Sequence, residues 1–336
     1  MVVYILKRLT LGVVTLGVIL FCSYAMLRLA PGDPAASTML GESNAGSVDT
    51  KGGLATNSSI RKELHLDEPL WYGFAAWLAK VVSHGDFGRS VTVDPGKPVV
   101  KLIGEKISTT LKLNIWAVII TYLVAIPLGV HASRQPGGKF DKGSSFILFV
   151  LYSLPVMWVG LLLQVLFCEG GNFEIFPLQG LDVPDKYNMN IWKLQFEIVR
   201  HYALPVLCLS YAGFAALSRY SRDGMLNQLN SDYVRSARAK GLPESAVIWK
   251  HAFRNSVITL ITLFSGLLPA LISGSVIVEY IFNIQGMGNL SLLSLSSRDY
   301  PLQMAIFFFS GALTLAGILI ADLLYMLADP RIDLTE

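Results

Sequence analysis

The chain has 336 residues, of which 53% are hydrophobic and only 15% charged; 27 Lys and Arg against 24 Asp and Glu leave a net charge of +3. Soluble domains carry about 25% charged residues, so a chain with a mean hydropathy of +0.51 cannot cover its surface with polar groups in water. That excludes disorder and weighs against a soluble enzyme, and the near-balance of charge gives no basis for a nucleic-acid partner.

A helix needs about 20 mostly apolar residues to cross a ~30 Å hydrocarbon layer. In chain order the segments that meet or approach this length are Leu9 to Leu27, Leu113 to Ala132, Ser144 to Phe167, Tyr202 to Ser218, Val257 to Val278 and Leu302 to Ile320. Pro127, Pro155, Pro205 and Pro269 fall inside four of them, which a membrane bundle tolerates where neighbours satisfy the freed carbonyls. The first run follows Lys7 and Arg8 but is 19 residues long, beyond the 7–15 apolar residues of a typical signal peptide, and is read as a retained anchor.

Lys and Arg counts in short loops orient the spans. The segment Ser133 to Gly143 carries Arg134, Lys139 and Lys142, and Arg219 to Ser256 carries seven basic residues, whereas Glu279 to Pro301 has only Arg298. The fold class expected is therefore an all-α polytopic membrane protein with six transmembrane helices and both termini cytoplasmic. Its parts are a tail and first helix (1–29), a long external segment (30–110), a five-helix core (111–328) with a cytoplasmic loop at 219–256, and a short cytoplasmic tail (329–336).

Within the external segment, Gly41 to Ser59 is rich in Gly, Ser, Asn and Thr and reads as a mobile loop. Ser59 to Val82 reads as short amphipathic helical pieces whose apolar set is Leu64, Leu66, Leu70, Trp71, Phe74, Trp77, Leu78 and Val81. Such a face suits either an interfacial cap, where Trp and Tyr are favoured, or a docking surface for an external partner.

The loop Ser231 to Ser256 is the most informative. Ser231 or Asp232 can N-cap a helix from about Tyr233 to Lys240, Gly241 suits the left-handed C′ position, and Pro243 opens a second helix with Glu244 near its positively polarised end. A short helix, a sharp turn and a second helix feeding the next span make a stiff element able to pass a push from a cytoplasmic partner into the membrane. On composition alone, an ordinary basic loop that only sets topology fits as well.

The same residues carry a family resemblance. Asp232-Tyr233-Val234-Arg235-Ser236-Ala237-Arg238-Ala239-Lys240-Gly241-Leu242-Pro243-Glu244, followed by His251-Ala252-Phe253-Arg254-Asn255, resembles the coupling loop of the peptide-type (dipeptide, oligopeptide and nickel) ABC importer permeases, specifically their B-type transmembrane subunit. Tyr4 to Leu9 with Ala30 to Pro34, Leu66-Asp67-Glu68-Pro69-Leu70, Gly85 to Ser90, Glu279 to Asn283, Gly286-Met287-Gly288 and Asp329-Pro330-Arg331 resemble other parts of that subunit in the same order. The general importer pattern Glu-Ala-Ala, three residues, Gly is altered: Arg235, Ser236 and Ala237 stand in place of its first three residues, as in the peptide-type permeases.

The resemblance implies a type I ABC importer permease-like bundle in the cytoplasmic (inner) membrane that translocates short peptides. It implies a homologous second permease subunit, two cytoplasmic ATPase subunits that hold ATP and magnesium, and an external substrate-binding protein. Membrane lipid is the surrounding partner, no cofactor is held by this chain, and the chain itself is not catalytic. The ATPase-coupling residues carried over are Asp232, Tyr233, Arg235, Ser236, Ala237, Arg238, Ala239, Lys240, Gly241, Leu242 and Pro243. The residues themselves agree on the energy source: Gly96-Lys97 is followed by Pro98 and Gly138-Lys139 by Phe140, so neither completes a phosphate-binding P-loop.

Other chemistry is sparse. His65, His84, His131, His201 and His251 lack metal-ligand spacing, and no Gly-x-Ser-x-Gly elbow occurs. Gln164, Ser153, Ser265 and Ser273 can offer hydrogen bonds to a substrate backbone, with Gln164, Ser265 and Ser273 as substrate-pathway candidates; helix packing accounts for them equally. Asp322, at the end of the last apolar run, is the ionisable group for the other reading, an ion-coupled secondary transporter or channel working without ATPases.

Overall fold

A computed structural model of the chain describes residues 2–30, 58–62, 64–184, 186–257, 260, 263, 271 and 274–328, without the side chains of 2–5, 186 and 321–328. The Gly/Ser-rich run up to residue 57, Ser265, Ser273, Pro269 and the Asp329-Pro330-Arg331 motif therefore lie outside the described residues, as does the side chain of Asp322. Among the described residues the structure is helical, and the extended pairing consists of two isolated bridges, Arg89 with Pro98 and Cys168 with Phe176.

The helices are α1 (Val2–Leu29), α2 (Leu70–His84), α3 (Val99–Arg134), α4 (Lys139–Ser153), α5 (Val156–Phe167), α6 (Ile191–Leu229), α7 (Asp232–Ala239), α8 (Glu244–Ala246), α9 (Val276–Ile281), α10 (Met287–Ser296) and α11 (Tyr300–Ala328). Leu6–Leu29 of α1, α3, α6 and Tyr300–Ile320 of α11 are long and apolar enough to cross a membrane, and α4 with α5 makes a fifth candidate bent by 95°. The expected span Val257 to Val278 falls largely outside the described residues.

The sequence expects a single span from Ser144 to Phe167, and the structure breaks it. Leu154 turns extended (φ −82°, ψ 128°) and Pro155 caps α5, because the residue before a proline is sterically pushed out of the α region. A broken helix in an apolar setting strands carbonyls, and the Tyr211 hydroxyl of α6 donates to the Leu154 carbonyl at 2.7 Å. Pro127 and Pro205, by contrast, remain inside α3 and α6.

The chain divides into two compact units, one within Met1–Ser108 and Gly286–Ala316, the other within Thr109–Gln285 and Gly317–Leu334. In the first, Leu20, Tyr24 and Leu27 of α1 pack with Tyr300 and Met304 of α11, and a Cβ added at Gly311 would lie 2.6 Å from Leu16. Arg28 ends α1 by donating to the carbonyls of His65 (2.9 Å), Leu66 (2.8 Å) and Glu68 (3.0 Å), which fixes the turn leading into α2. Five of the residues expected to form the apolar face, Leu64, Leu66, Leu70, Phe74 and Trp77, pack against this core, while Trp71 stays exposed.

A buried carboxylate closes this unit. Asp299 accepts from the backbone N–H of Val91 (3.0 Å), Thr92 (3.0 Å) and Val93 (3.1 Å) and from the Ser90 hydroxyl (2.5 Å) through one oxygen. Its other oxygen caps α11 by accepting from Leu302 N–H at 3.2 Å. One side chain thus satisfies a helix N-terminus and a tight loop together.

In the second unit α3 and α6 approach closely because glycine stands at the crossings. A Cβ at Gly129 would lie 2.4 Å from the Ser218 carbonyl, and one at Gly213 would lie 2.8 Å from Thr121. Small residues allow this backbone approach in membrane bundles, where helices gain little from the hydrophobic effect against lipid. Ser210 adds a hydrogen bond to the Ala117 carbonyl at 3.1 Å. Glu279 of α9 is fully buried and accepts from the Thr110 hydroxyl at 3.0 Å.

Candidate functional site

The element expected to carry function begins where α6 ends at Leu229. Ser231 occupies the N-cap position of α7 with extended dihedrals, but its hydroxyl donates back to the Gln228 carbonyl at 2.5 Å rather than capping a helical N–H. At the other end, Lys240 is the C-cap, Gly241 N–H donates to Arg238 O at 2.9 Å and Leu242 N–H to Ala237 O at 3.4 Å. This is the paired hydrogen bonding of a Schellman motif, and it needs the φ of +73° that Gly241 adopts. Pro243 then sits at the N-cap of α8, its fixed φ suited to helix entry.

An eight-residue helix is too short to persist alone in water, so its packing decides. Val234 and Ala237, three apart and hence on one face, are buried with Val130 of α3, Met225 of α6 and Val247, Ile248 and Ala252 beyond the turn. Asp232, Tyr233, Arg235, Ser236, Arg238, Ala239, Lys240, Gly241, Leu242 and Pro243 are all at least partly exposed. The structure thus brings ten of the eleven coupling candidates onto the exposed side of the elbow, while Ala237 lies on the underside that is tied into the bundle. A Cβ at Gly241 would meet nothing within 4 Å.

The turn is braced electrostatically. Arg238 donates to both Glu244 oxygens, at 2.7 and 3.2 Å. That guanidinium holds the Glu244 carboxyl below the usual carboxylate range, and the charge of Arg134 adds to the effect. Behind it, Arg222 of α6 grips Asp141 of α4 with two bonds of 2.7 and 2.8 Å, and Asp141 also accepts from Gly137 N–H at 2.8 Å. The basic segment between α3 and α4 is thereby stapled to α6.

Beyond Pro243 the structure departs from the regular second helix that the sequence leads one to expect. Three α-helical residues run into a π-helical turn, Val247–Ala252. Its wider turn puts Val247 and Ala252, five apart, into the same buried cluster, a geometry that i→i+5 bonding provides and an α-helix does not. No residue type announces a π-turn, which is why sequence periodicity missed it. Buried Glu279 and Asp299 were missed for another reason: each stands in a motif or loop that reads as solvent-facing until the fold covers it.

Of the pathway candidates, Gln164 lies on α5 and its amide donates to the Ile281 carbonyl of α9 at 2.9 Å; Ser265 and Ser273 lie outside the described residues. Ser153, at the end of α4, donates to the Phe149 carbonyl at 2.8 Å. Among the described residues no group of three His, Cys, Asp or Glu side chains could hold a metal ion.

Comparison with known proteins points in the same direction. Residues 125–334 match the family of binding-protein-dependent transport system inner membrane components. An oligopeptide transport system permease protein of Bacillus subtilis (AppB) is 36% identical over 99% of this chain and its own full length. A peptidoglycan transport system permease protein of Agrobacterium fabrum (YejB) is 32% identical over 98% of each chain. A dipeptide transport system permease protein of Lactococcus lactis (DppB) is 30% identical over 99% of this chain and all of its own. The family match takes in more than half of the sequence, including α7 and the turn after it, and the chain belongs to the binding-protein-dependent transport system inner membrane components, multi-pass proteins of the cytoplasmic membrane.

Proposed function

We propose that this chain is a non-catalytic permease subunit of an ABC importer for short peptides, working beside a homologous second permease subunit. Two cytoplasmic ATPase subunits carrying ATP and magnesium would dock on the coupling loops of the two permease subunits, in this chain the exposed surface of α7 and its turn, and an external binding protein would deliver the cargo. The topology proposed is six spans with both termini cytoplasmic, which places the loop 219–256 on the ATPase side. Peptide cargo is supported by the oligopeptide and dipeptide systems of the relatives; Gln164, Ser265 and Ser273 are the proposed pathway residues, Gln164 having its amide oxygen to offer while its N–H₂ group holds Ile281.

The observation that carries this reading is the anchored elbow. Its docking surface faces outward while Val234 and Ala237 join three other elements in one buried cluster. A load applied at residues 232–243 therefore reaches α3, α6 and the π-turn through close-packed side chains, which transmit displacement because cores are poorly compressible. ATPase closure would bias a two-state bundle through that link.

The test is Gly241→Asp in the reconstituted importer. A Cβ at φ +73° distorts the turn and a carboxylate alters the docking surface. ATPase activity stimulated by loaded binding protein should fall about tenfold, equivalent to ~1.4 kcal/mol, with the subunits still copurifying. Unchanged stimulation would remove the proposed contact, and uptake by this chain alone under an ion gradient would favour the ATPase-independent transporter instead.

A further inference from the structure

A groove of about 320 Å³ opens on the second unit beside the elbow, between α3, the start of α4 and the π-turn. Its lining is polarised along α3. Pro127 and Leu128 form the apolar end, and His131 and then Arg134 come next on the same helix face at spacings of three and four residues. Arg134 lies seven positions along the helix from Pro127, about 10 Å of rise. Phe140, 46% exposed, and Trp249, 42% exposed, form the facing walls.

Two properties set this groove apart from an ordinary packing defect. Arg134 comes two residues after the apolar run Leu113 to Ala132 on the same helix, so the apolar end of the groove belongs with that run and Arg134 with the basic segment that follows it. Its guanidinium is exposed and lies within ion-pair distance of no carboxylate among the described residues; its charge reaches Glu244 only at longer range, Glu244 being bonded by Arg238 and Asp141 by Arg222. An apolar slot with an open cation at its polar end complements an amphiphile with an anionic head. Trp249, amphipathic and placed at the same level, is the residue type that settles at that boundary.

We propose that this groove is a binding site for one anionic phospholipid, its acyl chain against Pro127, Leu128, Phe140 and Trp249 and its phosphate at Arg134. The site goes beyond the transport reading and does not depend on it. Bound there, the lipid touches the π-turn directly, so membrane charge reaches the elbow through the same side chains that anchor it.

The experiment uses the full chain in detergent micelles doped with brominated phosphatidylglycerol or brominated phosphatidylcholine, and reads the Trp249 fluorescence as the difference between wild type and Trp249→Phe. Bromine quenches only within contact distance. Half-maximal quenching should need about fivefold less phosphatidylglycerol than phosphatidylcholine, the preference that one cation near an anionic headgroup supplies. Arg134→Gln should abolish the preference and Arg134→Lys should keep it. Equal quenching by both lipids in the wild type, which marks annular lipid only, would overturn the proposal. So would a preference that survives in Arg134→Gln, or Trp249 quenched by neither lipid, which would mean that a protein chain covers the groove.

Discussion

Gly241 combines a φ of +73° with open space where a Cβ would sit, so substitution there tests backbone geometry without a clash. Gly241→Ala should lower thermal stability in detergent by about 1 kcal/mol, the cost of a left-handed L-residue, and Gly241→Asn should recover part of it because Asn tolerates that region. Arg238 and Glu244 are 43% and 57% exposed, so their pair is worth at most ~1 kcal/mol and Glu244→Gln should barely move the melting temperature. The sign with pH is fixed: the folded carboxyl titrates below its unfolded value. The stabilisation is present above the unfolded pKa and fades as pH falls through the folded one. A melting series of wild type against Glu244→Gln from neutral to acid pH should therefore converge at the acid end. Asp299 is the opposite case, buried and accepting from three backbone N–H groups and a helix N-terminus. Asp299→Ala should cost on the order of 3 kcal/mol, since stranded buried donors cost ~1–3 kcal/mol each and water recovers some. Hydrogen exchange at residues 90–93 would report the loosened loop.

The elements show where side-chain pattern suffices and where neighbours decide. The turn residues after α7 were legible: Gly241 and Pro243 punctuate the chain wherever it folds, because their backbone preferences are intrinsic. The side of α7 that faces inward was not legible, since eight residues with two apolar positions leave the partner open; the structure supplies it from Val130, Met225 and the π-turn. Val234→Ala should cost about 2 kcal/mol, through lost burial and the cavity left behind, and should expose the elbow to limited proteolysis before the rest of the chain. The break between α4 and α5 divides in the same way. Pro155 announced an irregularity, yet whether the helix would absorb it, as α3 and α6 absorb Pro127 and Pro205, depended on a donor near the Leu154 carbonyl. Tyr211 provides one, and Tyr211→Phe should lower stability by about 1 kcal/mol, the low end of the cost of leaving a carbonyl unsatisfied, because this one is only partly buried.

At the scale of the whole molecule, a membrane protein is legible in composition because the solvent is: lipid demands long apolar helices with internally satisfied backbones, and runs such as Leu113 to Ala132 or Leu302 to Ile320 meet that demand whatever they pack against. The basic loops, the capped turn at Gly241 and the lack of a phosphate cradle are equally properties of the chain alone, since charge, φ preference and motif spacing are carried by single residues and their near neighbours. The tertiary structure decided what needs two distant segments at once. It chose the buried partners of Asp299 and Glu279, bent the third apolar run by 95°, inserted a π-turn to bring Val247 and Ala252 to one core, and left Arg134 open above an apolar groove. None of these can be read from a local pattern, because each is settled by whichever group from elsewhere in the chain arrives to satisfy a hydrogen bond or fill a volume.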